Sequence, residues 1–364
     1  MIYAFVADPH VGNMKQHGGQ VEVGCNARAR EVIRVLADCK DVAARHGADH
    51  FVVLGDLFDS SNPNPQMVHQ TARALQGSVP VEIIVGNHDQ VSVAGGDHAL
   101  APFSLGKNLQ VIEEPTRLGD LLLVPFQPGP AKDWLRESII DSEGGILCIH
   151  LGVEDGDTPH FLQGARDSIH VDQLTDLAKE FGFCAVFAGN WHNMRKWDMF
   201  LTDEERSVQI IQCGTICPKT FSDDGFDLRG KIWFYDTAKS KAWCVDMPGP
   251  RFVRTDLDGL LDNVETFEAK AQEGFTIYVR VTVDGDELEE ARQLRDEAPA
   301  GIIIEIDLDP TEAKAAVTSA ASVARSAETF EEALDKFIDQ YPIEEPGTKD
   351  GVVGRIRRFR RESA

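Results

Sequence analysis

The chain has 364 residues, of which 36 are Lys or Arg and 60 are Asp or Glu, so its formal net charge is −24. Hydrophobic residues make up 42% of the sequence, which is typical of globular proteins and excludes disordered or collagen-like chains. At about 150 residues per domain, this length predicts about two domains. The acidic balance argues against a protein that coats nucleic acid through bulk positive charge. It does not exclude a nucleic-acid enzyme, because the local charge of a binding groove matters more than the net charge of the chain.

The sequence carries no recognisable membrane or export signal. No apolar run approaches the ~20 residues that a membrane helix needs. The N-terminus MIYAFVADPH has neither a basic start nor a small-residue cleavage site. The seven cysteines are scattered and form no Cys-x-x-Cys pair, so we expect reduced, mostly buried thiols. Together these features predict a cytoplasmic protein.

Five short apolar runs in the first half of the chain predict strands. Apolar runs without alternation are typical of strands that are buried on both faces. Helical spacing follows between them, and it predicts one helix from an N-cap at Asn26 to a stop at Gly47 and a second over Gln66 to Gln76. The predicted strands are Ile2 to Ala7, Phe51 to Leu54, Val81 to Val85, Ile146 to Ile149 and Ala185 to Ala188.

Each predicted strand ends in a cluster of polar residues. The alternation of strands and helices predicts a largely parallel sheet covered by helices. In such sheets the ligand crevice lies beyond the carboxyl ends of the strands, so the clusters are expected to converge there. The clusters are Asp8-Pro9-His10, Gly55-Asp56-Leu57-Phe58-Asp59, Gly86-Asn87-His88-Asp89, His150 and Gly189-Asn190-Trp191-His192.

The residue types in these clusters predict a metal site. Imidazole, carboxylate and amide ligands together suit borderline divalent metals such as Mn, Fe or Zn. The alternative is that the polar residues are caps and turn formers, which favour Asp, Asn and Gly. That alternative accounts for Asp56 or Asn87 singly, but not for the histidines at strand ends. The other histidines are expected in packing or at the surface, with His17 and His98 the main exceptions because they follow ligand clusters closely.

The motifs and their order resemble those of the calcineurin-like metallophosphoesterases. The stretch GDLFDSSNPNP is similar to the nuclease subunit of SbcCD-type double-strand-break repair complexes, as is the later CGTICPKTFSDDGFDLRGKIWFYDT. Bacteriophage recombination nuclease subunits are the most similar of these, which implies a bacterial or phage-infected host cytoplasm. The resemblance implies an α/β fold, namely a two-sheet αββα metallophosphoesterase sandwich with a small C-terminal α/β capping domain and terminal helices.

The resemblance also implies roles for the motif residues. His88 resembles the catalytic histidine that protonates the leaving oxygen, and Asp59 resembles the carboxylate that orients it. The implied cofactors are two divalent metal ions, Mn²⁺ first, with Mg²⁺, Fe or Zn as alternatives. Asp8, His10, Asp56 and His192 would hold one metal, and Asp56 would bridge to a second that is also held by Asn87, His150 and the residue at position 190.

Position 190 departs from the family pattern. The pattern is Gly-His-x-His, whereas this chain has Gly189-Asn190-Trp191-His192. A neutral amide oxygen is a poorer ligand for Mn or Zn than imidazole. Three readings stay open, in which Asn190 coordinates weakly, acts through water or leaves the second metal loosely held. A natural His-to-Asn change at this position would also fit an attenuated nuclease, and an engineered inactivating change would look the same.

The second half of the chain predicts further sheet structure and a domain boundary. Alternation of apolar and polar residues from about 206 to 246 predicts the second sheet of the sandwich, including Ile232 to Tyr235 and Ala242 to Val245. Residues 1–247 are thus predicted as the nuclease domain, with the break at Met247-Pro248-Gly249-Pro250. Residues 251–308 read as a small α/β unit, with strands at Thr276 to Val283 and Ile302 to Leu308 around a helix at Asp286 to Ala298. The resemblance implies that this unit is the capping domain, and the alternative is a generic appended domain.

The C-terminal residues predict helices and a basic tail. Residues 309–343 carry two capping boxes and a short apolar stripe, which fits either a helix packed on its own domain or docking on an SbcC-type ATPase. Residues 344–364 read as a linker and an Arg-rich tail. Arg355, Arg357 and Arg358 are candidate DNA contacts, against the alternative of a solvated end.

Three functions follow from these features. The first is a two-metal-dependent DNA nuclease, both a 3′-to-5′ exonuclease and an endonuclease, that acts on DNA ends in recombination and repair. Its expected partner is an SbcC-type SMC-like ATPase. We expect it to form a homodimer and not to bind a membrane. The second is a metallophosphoesterase with another substrate class, such as phosphomonoesters or cyclic nucleotides. The third is a catalytically attenuated scaffold that binds DNA ends, which Asn190 motivates.

Overall fold

The structure is a computed structural model that describes residues 1–91, 97–200, 207–225 and 229–309. Its strands are β1 (Ile2–Val6), β2 (His50–Val53), β3 (Val81–Ile84), β4 (Leu109–Ile112), β5 (Thr116–Leu118), β6 (Leu121–Val124), β7 (Gly145–His150), β8 (Gly152–Glu154), β9 (Ser168–His170), β10 (Phe183–Gly189), β11 (Arg195–Phe200), β12 (Ser207–Gln212), β13 (Lys231–Asp236), β14 (Lys241–Asp246), β15 (Pro250–Asp256), β16 (Thr276–Val283) and β17 (Ile302–Leu308). Its α-helices are α1 (Ala27–Arg45), α2 (Pro65–Ala74), α3 (Ala131–Ile139), α4 (Val171–Phe181), α5 (Leu257–Gln272) and α6 (Leu288–Glu297).

Two six-stranded mixed sheets build the first part of the molecule. The first has the order β14-β13-β1-β2-β3-β4, in which β1 to β4 are parallel and β13 runs antiparallel to β1. The second has the order β11-β12-β10-β7-β6-β5, with four parallel central strands between antiparallel edge strands. The carboxyl ends of the parallel strands therefore meet at one edge of each sheet, as predicted.

Three apolar clusters hold the layers together. The inner faces of the sheets pack on each other, and the rings of Phe5 on β1 and Phe187 on β10 stack with centroids 4.0 Å apart. Helix α1 covers the outer face of the first sheet with Val35 and Leu36, while α3 and α4 cover the second. The predicted αββα sandwich is confirmed. The seven cysteines are all free, and five of them are buried.

The elements that flank the predicted site form close to their predicted positions. The Asn26 side chain accepts a hydrogen bond from the Ala29 N–H at 3.0 Å and caps α1, as the sequence indicates. Gly47 has φ +71° just after the helix, where glycine avoids the strain of a left-handed residue. Helix α2 begins at Pro65, one residue earlier than predicted, because Asn64 caps it.

The predicted sheet assignment of residues 231–246 is wrong. Strands β13 and β14 belong to the first sheet, where β13 pairs with β1, and β12 is the strand of this region that joins the second sheet, beside β11. Alternation indicates which side chains face a core, but it carries no information about which sheet edge a returning strand joins. Five of the six β13 residues are buried, because this strand is covered on both faces.

The C-terminal described residues form a three-stranded sheet in the order β15-β16-β17, with α5 and α6. Strands β16 and β17 have the predicted bounds, and a 3₁₀ turn over Gly285–Glu287 precedes α6. The chain divides into two compact units, residues 1–280 with 297–305, and 281–296 with the chain from 306 onward. The predicted domain limits stay predictions. The predicted helical segment after Asp309 and the Arg-rich tail lie outside the described residues.

No helix among the described residues has the length and apolar content needed to cross a membrane.

Candidate metal centre

The structure gathers the predicted polar clusters at the carboxyl ends of β1, β2, β3, β7 and β10. Two groups of side chains in this crevice place one potential ligand atom each within 4.8 Å of the others, and Asp56 belongs to both. The members of each group lie far apart in the sequence. The strand ends therefore converge in the fold, as expected. The groups are Asp8, Asp56 and His150 on one side, and His10, Asp56 and His88 on the other.

The backbone at these positions is strained. Among the described residues, seven non-glycine residues have positive φ, and four of them lie in the predicted site: Asp8, His10, Asp56 and Asn190. Such conformations cost about 1–3 kcal/mol each and persist only where packing and hydrogen bonds impose them. Here the His10 N–H donates to the Asp56 carbonyl at 3.0 Å, and the Thr215 hydroxyl donates to the Asp8 carbonyl at 2.7 Å.

One set of ligand atoms lies on the His10 side of Asp56. Nε2 of His10 lies 3.0 Å from Nε2 of His192 and 3.7 Å from Oδ2 of Asp56. Nδ1 of His192 donates to the Asp223 carboxylate at 2.7 Å, so the lone pair of this ring is on Nε2. Metal–nitrogen bonds of about 2.0–2.1 Å place two imidazoles on one cation at a similar separation, so this pair fits a shared metal ion.

A second set lies on the opposite side of the same carboxylate. Nε2 of His150 lies 2.9 Å from Oδ1 of Asn87 and 3.4 Å from Oδ1 of Asp56. Nδ1 of His150 donates to the Leu54 carbonyl at 2.7 Å, so Nε2 is the ring nitrogen that faces the site. Asp56 thus offers one oxygen to each set, which is the placement expected of a bridging ligand.

Glycines let the backbone approach these ligands. A Cβ at Gly55, which has φ +88°, would lie 2.1 Å from Nδ1 of His150. A Cβ at Gly86 would lie 2.2 Å from the Asp56 backbone nitrogen. Gly55 and Gly86 are therefore needed for steric reasons, in addition to any role in turn formation.

The buried charges of the site perturb one another. Burial raises the pKa of Asp8 to about 6, helped by the neighbouring Asp56 carboxylate. Burial opposes ionisation of Asp56 as well, but His150 and His10 outweigh it and hold the pKa of Asp56 well below its usual range. Burial disfavours charge on His150, yet the same Asp56 raises the pKa of His150 to about 9. A cation bound here would take the place of the proton on His150, so metal uptake releases a proton.

His88 and Asp59 stand at the open side of the centre. The His88 ring is exposed, and its Nδ1 lies 3.1 Å from the Asp59 main-chain carbonyl. The interaction that orients His88 is therefore made by the backbone of Asp59, not by its carboxylate as the sequence comparison implies. The carboxylate contacts the Lys219 ammonium and lies 3.7 Å from Nδ1 of His10.

The side-chain amide of Asn190 contacts Asp167. Its Nδ2 donates to the Asp167 carboxylate at 2.9 Å, while its backbone N–H donates to Asp8 at 2.9 Å. The main chain at position 190 thus positions a ligand, and the side chain is engaged with Asp167. Whether Asn190 also coordinates a metal stays a prediction.

Three further carboxylates and one lysine shape the site, and of these only Asp89 belongs to a predicted cluster. Asp89 is fully buried and accepts the N–H groups of Phe58 at 3.0 Å and Gly86 at 3.1 Å, which ties the loops after β2 and β3 together. The others are Asp167, Asp223 and Lys219. Asp223 and Lys219 lie in the stretch CGTICPKTFSDDGFD, whose similarity to nuclease subunits was the available signal.

We expect Asp223→Asn to weaken metal binding by about 10- to 100-fold, because residues that orient a ligating histidine typically contribute that much. The His192 contact also holds the pKa of Asp223 down at about 2 against the effect of burial, so the pair is charge-assisted. Isothermal titration with Mn²⁺ measures the change. Asp224→Asn is the matched control, since the Asp224 carboxylate accepts the Arg254 N–H instead. Equal affinities in the two variants would contradict this role.

Comparison with known proteins identifies the family to which the chain belongs. A model of the calcineurin-like phosphoesterase family matches residues 1–194. This match covers more than half of the chain, so the chain belongs to the calcineurin-like phosphoesterase family, whose members are metal-dependent hydrolases that use divalent cations.

Two curated relatives bear the name DNA double-strand break repair protein Mre11. The one from Sulfurisphaera tokodaii is 25% identical over 228 residues, which are 59% of this chain and 56% of the relative. The one from Sulfolobus acidocaldarius is 26% identical over 193 residues, 50% and 48% of the two chains. The chain thus spans about half the length of the curated relatives it matches. A solved structure, TT1561 of Thermus thermophilus, covers 67% of this chain and 98% of its own at 11% identity, with a TM-score of 0.40.

Proposed function

We propose that the chain is a two-metal-dependent DNA nuclease that hydrolyses phosphodiester bonds at DNA ends, as a 3′-to-5′ exonuclease and an endonuclease. The observation that carries the proposal is the pair of ligand sets that meet at Asp56, with the exposed His88 ring beside them. Family membership and the names of the curated relatives support the choice of substrate. Two Mn²⁺ ions are the proposed cofactors.

The side chains present fit such a pair of ions, and they fall into two sets of ligands. By the sequence resemblance, His10, His192 and Asp8 would hold one ion and His150 and Asn87 the other, with Asp56 between them. In the structure the Asp8 carboxylate lies within 4.8 Å of ligand atoms of Asp56 and His150. When bound, two divalent cations neutralise phosphate charge and lower the pKa of water.

His88 is the proposed general acid. Its Nδ1 lies 3.1 Å from the Asp59 carbonyl, so Nε2 is the ring nitrogen that would pass a proton to a leaving oxygen.

The substrate class is tested by two assays in Mn²⁺ on one protein preparation. We expect nucleotide release from linear DNA and little hydrolysis of p-nitrophenyl phosphate, a generic phosphomonoester. The reverse preference would replace the nuclease proposal with a phosphomonoesterase. A control with a chelator at the same pH measures the metal-independent hydrolysis, which is subtracted.

Asn190 favours a second candidate, a catalytically weak protein that binds DNA ends. Its amide is engaged with Asp167, so the second ligand set has one imidazole fewer than the family pattern. This candidate predicts little cleavage by the unmodified chain. Substantial cleavage would exclude it.

We expect Asn190→His to tighten binding of the second cation, because imidazole is a better ligand than an amide for Mn or Zn. Metal content after gel filtration measures it, with the unmodified chain expected to retain fewer than two ions. If the unmodified chain already holds two ions tightly, the weak-site interpretation fails. Asp167→Asn is the control, since it alters the partner of Asn190 without adding a ligand.

Partners are also proposed from the sequence resemblance. We propose a homodimer that works with an SbcC-type SMC-like ATPase through residues 309–343, and contact with DNA through Arg355, Arg357 and Arg358. These segments lie outside the described residues. Because the net charge is −24, DNA binding by the chain alone is expected to be weak without metal. Tight DNA binding by the metal-free chain would refute this expectation.

A further inference from the structure

The carboxylate that orients His192 belongs to a turn over residues 218–223, which we call the Asp223 turn. Both oxygens of Asp223 are engaged, because Oδ1 accepts the His192 Nδ1–H and Oδ2 accepts the Lys219 backbone N–H, each at 2.7 Å. One of these bonds is made within the turn itself. The direction in which the carboxylate meets the histidine therefore depends on how the turn is held.

An aromatic cluster anchors the turn. Phe221 is buried, and its ring meets that of Phe252 edge to face with centroids 5.0 Å apart. Phe252 stacks on Tyr278 with centroids 4.7 Å apart. The guanidinium carbon of Arg28 lies 5.3 and 5.1 Å from these last two ring centroids, and Arg28 also donates to the Pro218 carbonyl at 2.8 Å. The cluster thus holds the turn at two of its residues.

Arg280 of β16 lies directly against this anchor. Its guanidinium carbon is 4.1 Å from the centroid of the Phe221 ring, which is close for a cation–π contact. The same guanidinium donates to the Glu305 carboxylate from Nε at 3.1 Å and from Nη2 at 2.6 Å. Because a guanidinium is planar and rigid, this ion pair also fixes where the cation lies on the ring.

Glu305 holds a second segment of the site, the one that follows His10. Its Oε1 accepts a hydrogen bond from Nε2 of Gln16 at 3.1 Å and lies 2.9 Å from Nε2 of His17. Burial opposes ionisation of Glu305, but hydrogen bonds from Arg280 and Gln16 outweigh it and lower the pKa of Glu305. One charged carboxylate therefore connects two segments, of which one begins at a proposed ligand and the other orients a second ligand.

We propose that Arg280 and Glu305 are positioning residues that set the cation affinity of one ligand set through the Asp223 turn. The set is the one that contains His192. The contacts described above lead to this set, so we expect the effect there and not at His150. The inference rests on the proposed function for its two cations and not for its substrate.

The test is a site-resolved metal titration of the full-length chain labelled with ¹⁵N-histidine. Zn²⁺ is the probe because it is diamagnetic, and a chelator buffer sets its free concentration. His192→Gln and His150→Gln assign the two ring signals. We expect Arg280→Met to raise the Zn²⁺ concentration that half-saturates the His192 signal by about tenfold, the lower end of the usual effect of residues outside the ligand shell. The His150 signal should change little.

Three further variants sharpen the result. Arg280→Lys keeps a cation beside Glu305 and the aromatic ring, so it should restore most of the lost affinity. Phe221→Leu keeps an apolar side chain in the cluster but removes the ring, and it should weaken the same site. Arg34→Met is the matched control, since Arg34 is an exposed arginine of α1 that pairs with Asp38 at 2.7 Å. It should change neither signal.

The outcomes separate this inference from the proposed function. A lower melting temperature of Arg280→Met with unchanged Zn²⁺ binding would show a purely structural role and overturn the inference. Equal weakening at both histidines would overturn it as well, because it would reflect a general loss of structure. If Arg280→Met does not fold, the same criteria apply to Phe221→Leu. Selective weakening in a chain that cleaves no DNA would support the positioning role and contradict the nuclease.

Discussion

His88→Asn is expected to lower the turnover number on DNA by about 10²- to 10⁴-fold, the usual contribution of a general acid. Metal content should stay close to that of the unmodified chain, because asparagine keeps a polar atom near the Asp59 carbonyl and no proposed ligand is removed. Mass spectrometric metal analysis and DNA hydrolysis on the same preparation give both values.

The geometry makes this a sharp test. His88 lies close enough to His10 and Asp56 to be a ligand itself, and its ring centroid is 4.8 Å from that of His10. Loss of a metal ion in His88→Asn would show that the ring coordinates, contrary to the proposed acid role. His69→Asn is the matched control, since His69 is an exposed histidine of α2 that belongs to none of the ligand clusters.

Asp56→Ala is expected to abolish binding of both metal ions and with it all metal-dependent cleavage. Asp56 is 1% exposed and offers one oxygen to each ligand set, so no nearby side chain can substitute for it. The variant also leaves buried histidines without their carboxylate, so its fold must be checked by circular dichroism. Mn²⁺ titration then measures stoichiometry directly.

Asp176→Asn controls for the loss of one negative charge, because Asp176 is an exposed carboxylate of α4. Retention of one tightly bound ion by Asp56→Ala would contradict the bridging role. It would instead mean that the two ligand sets act independently.

The convergence of the predicted site residues followed from local sequence, because the fold brings strand ends together. Asp8, Asp56, His150 and His192 each follow a buried run, and in parallel sheets such positions converge whatever the intervening length. The αββα layers followed from the same alternation of strands and helices.

Contacts that depend on returning chain segments were not predictable in this way. Asp223 meets His192 across 31 residues and Lys219 meets Asp59 across 160, and both lie in a loop of ordinary turn residues. The edge joined by β13 and β14 was mispredicted for a related reason, since pairing with β1 is decided by tertiary packing. The backbone role of Asp59 was not predictable, because a sequence motif identifies side chains and does not show which main-chain carbonyl makes a contact.

The central claim is that two cations, held on either side of Asp56, cleave DNA together. It is tested most directly by titrating metal-free protein with Mn²⁺ while counting bound ions and measuring hydrolysis of end-labelled linear DNA. We expect little cleavage with one ion per chain and a rise in rate as the second, weaker site fills. Full activity at one ion per chain, or no cleavage with both sites filled, would contradict the account.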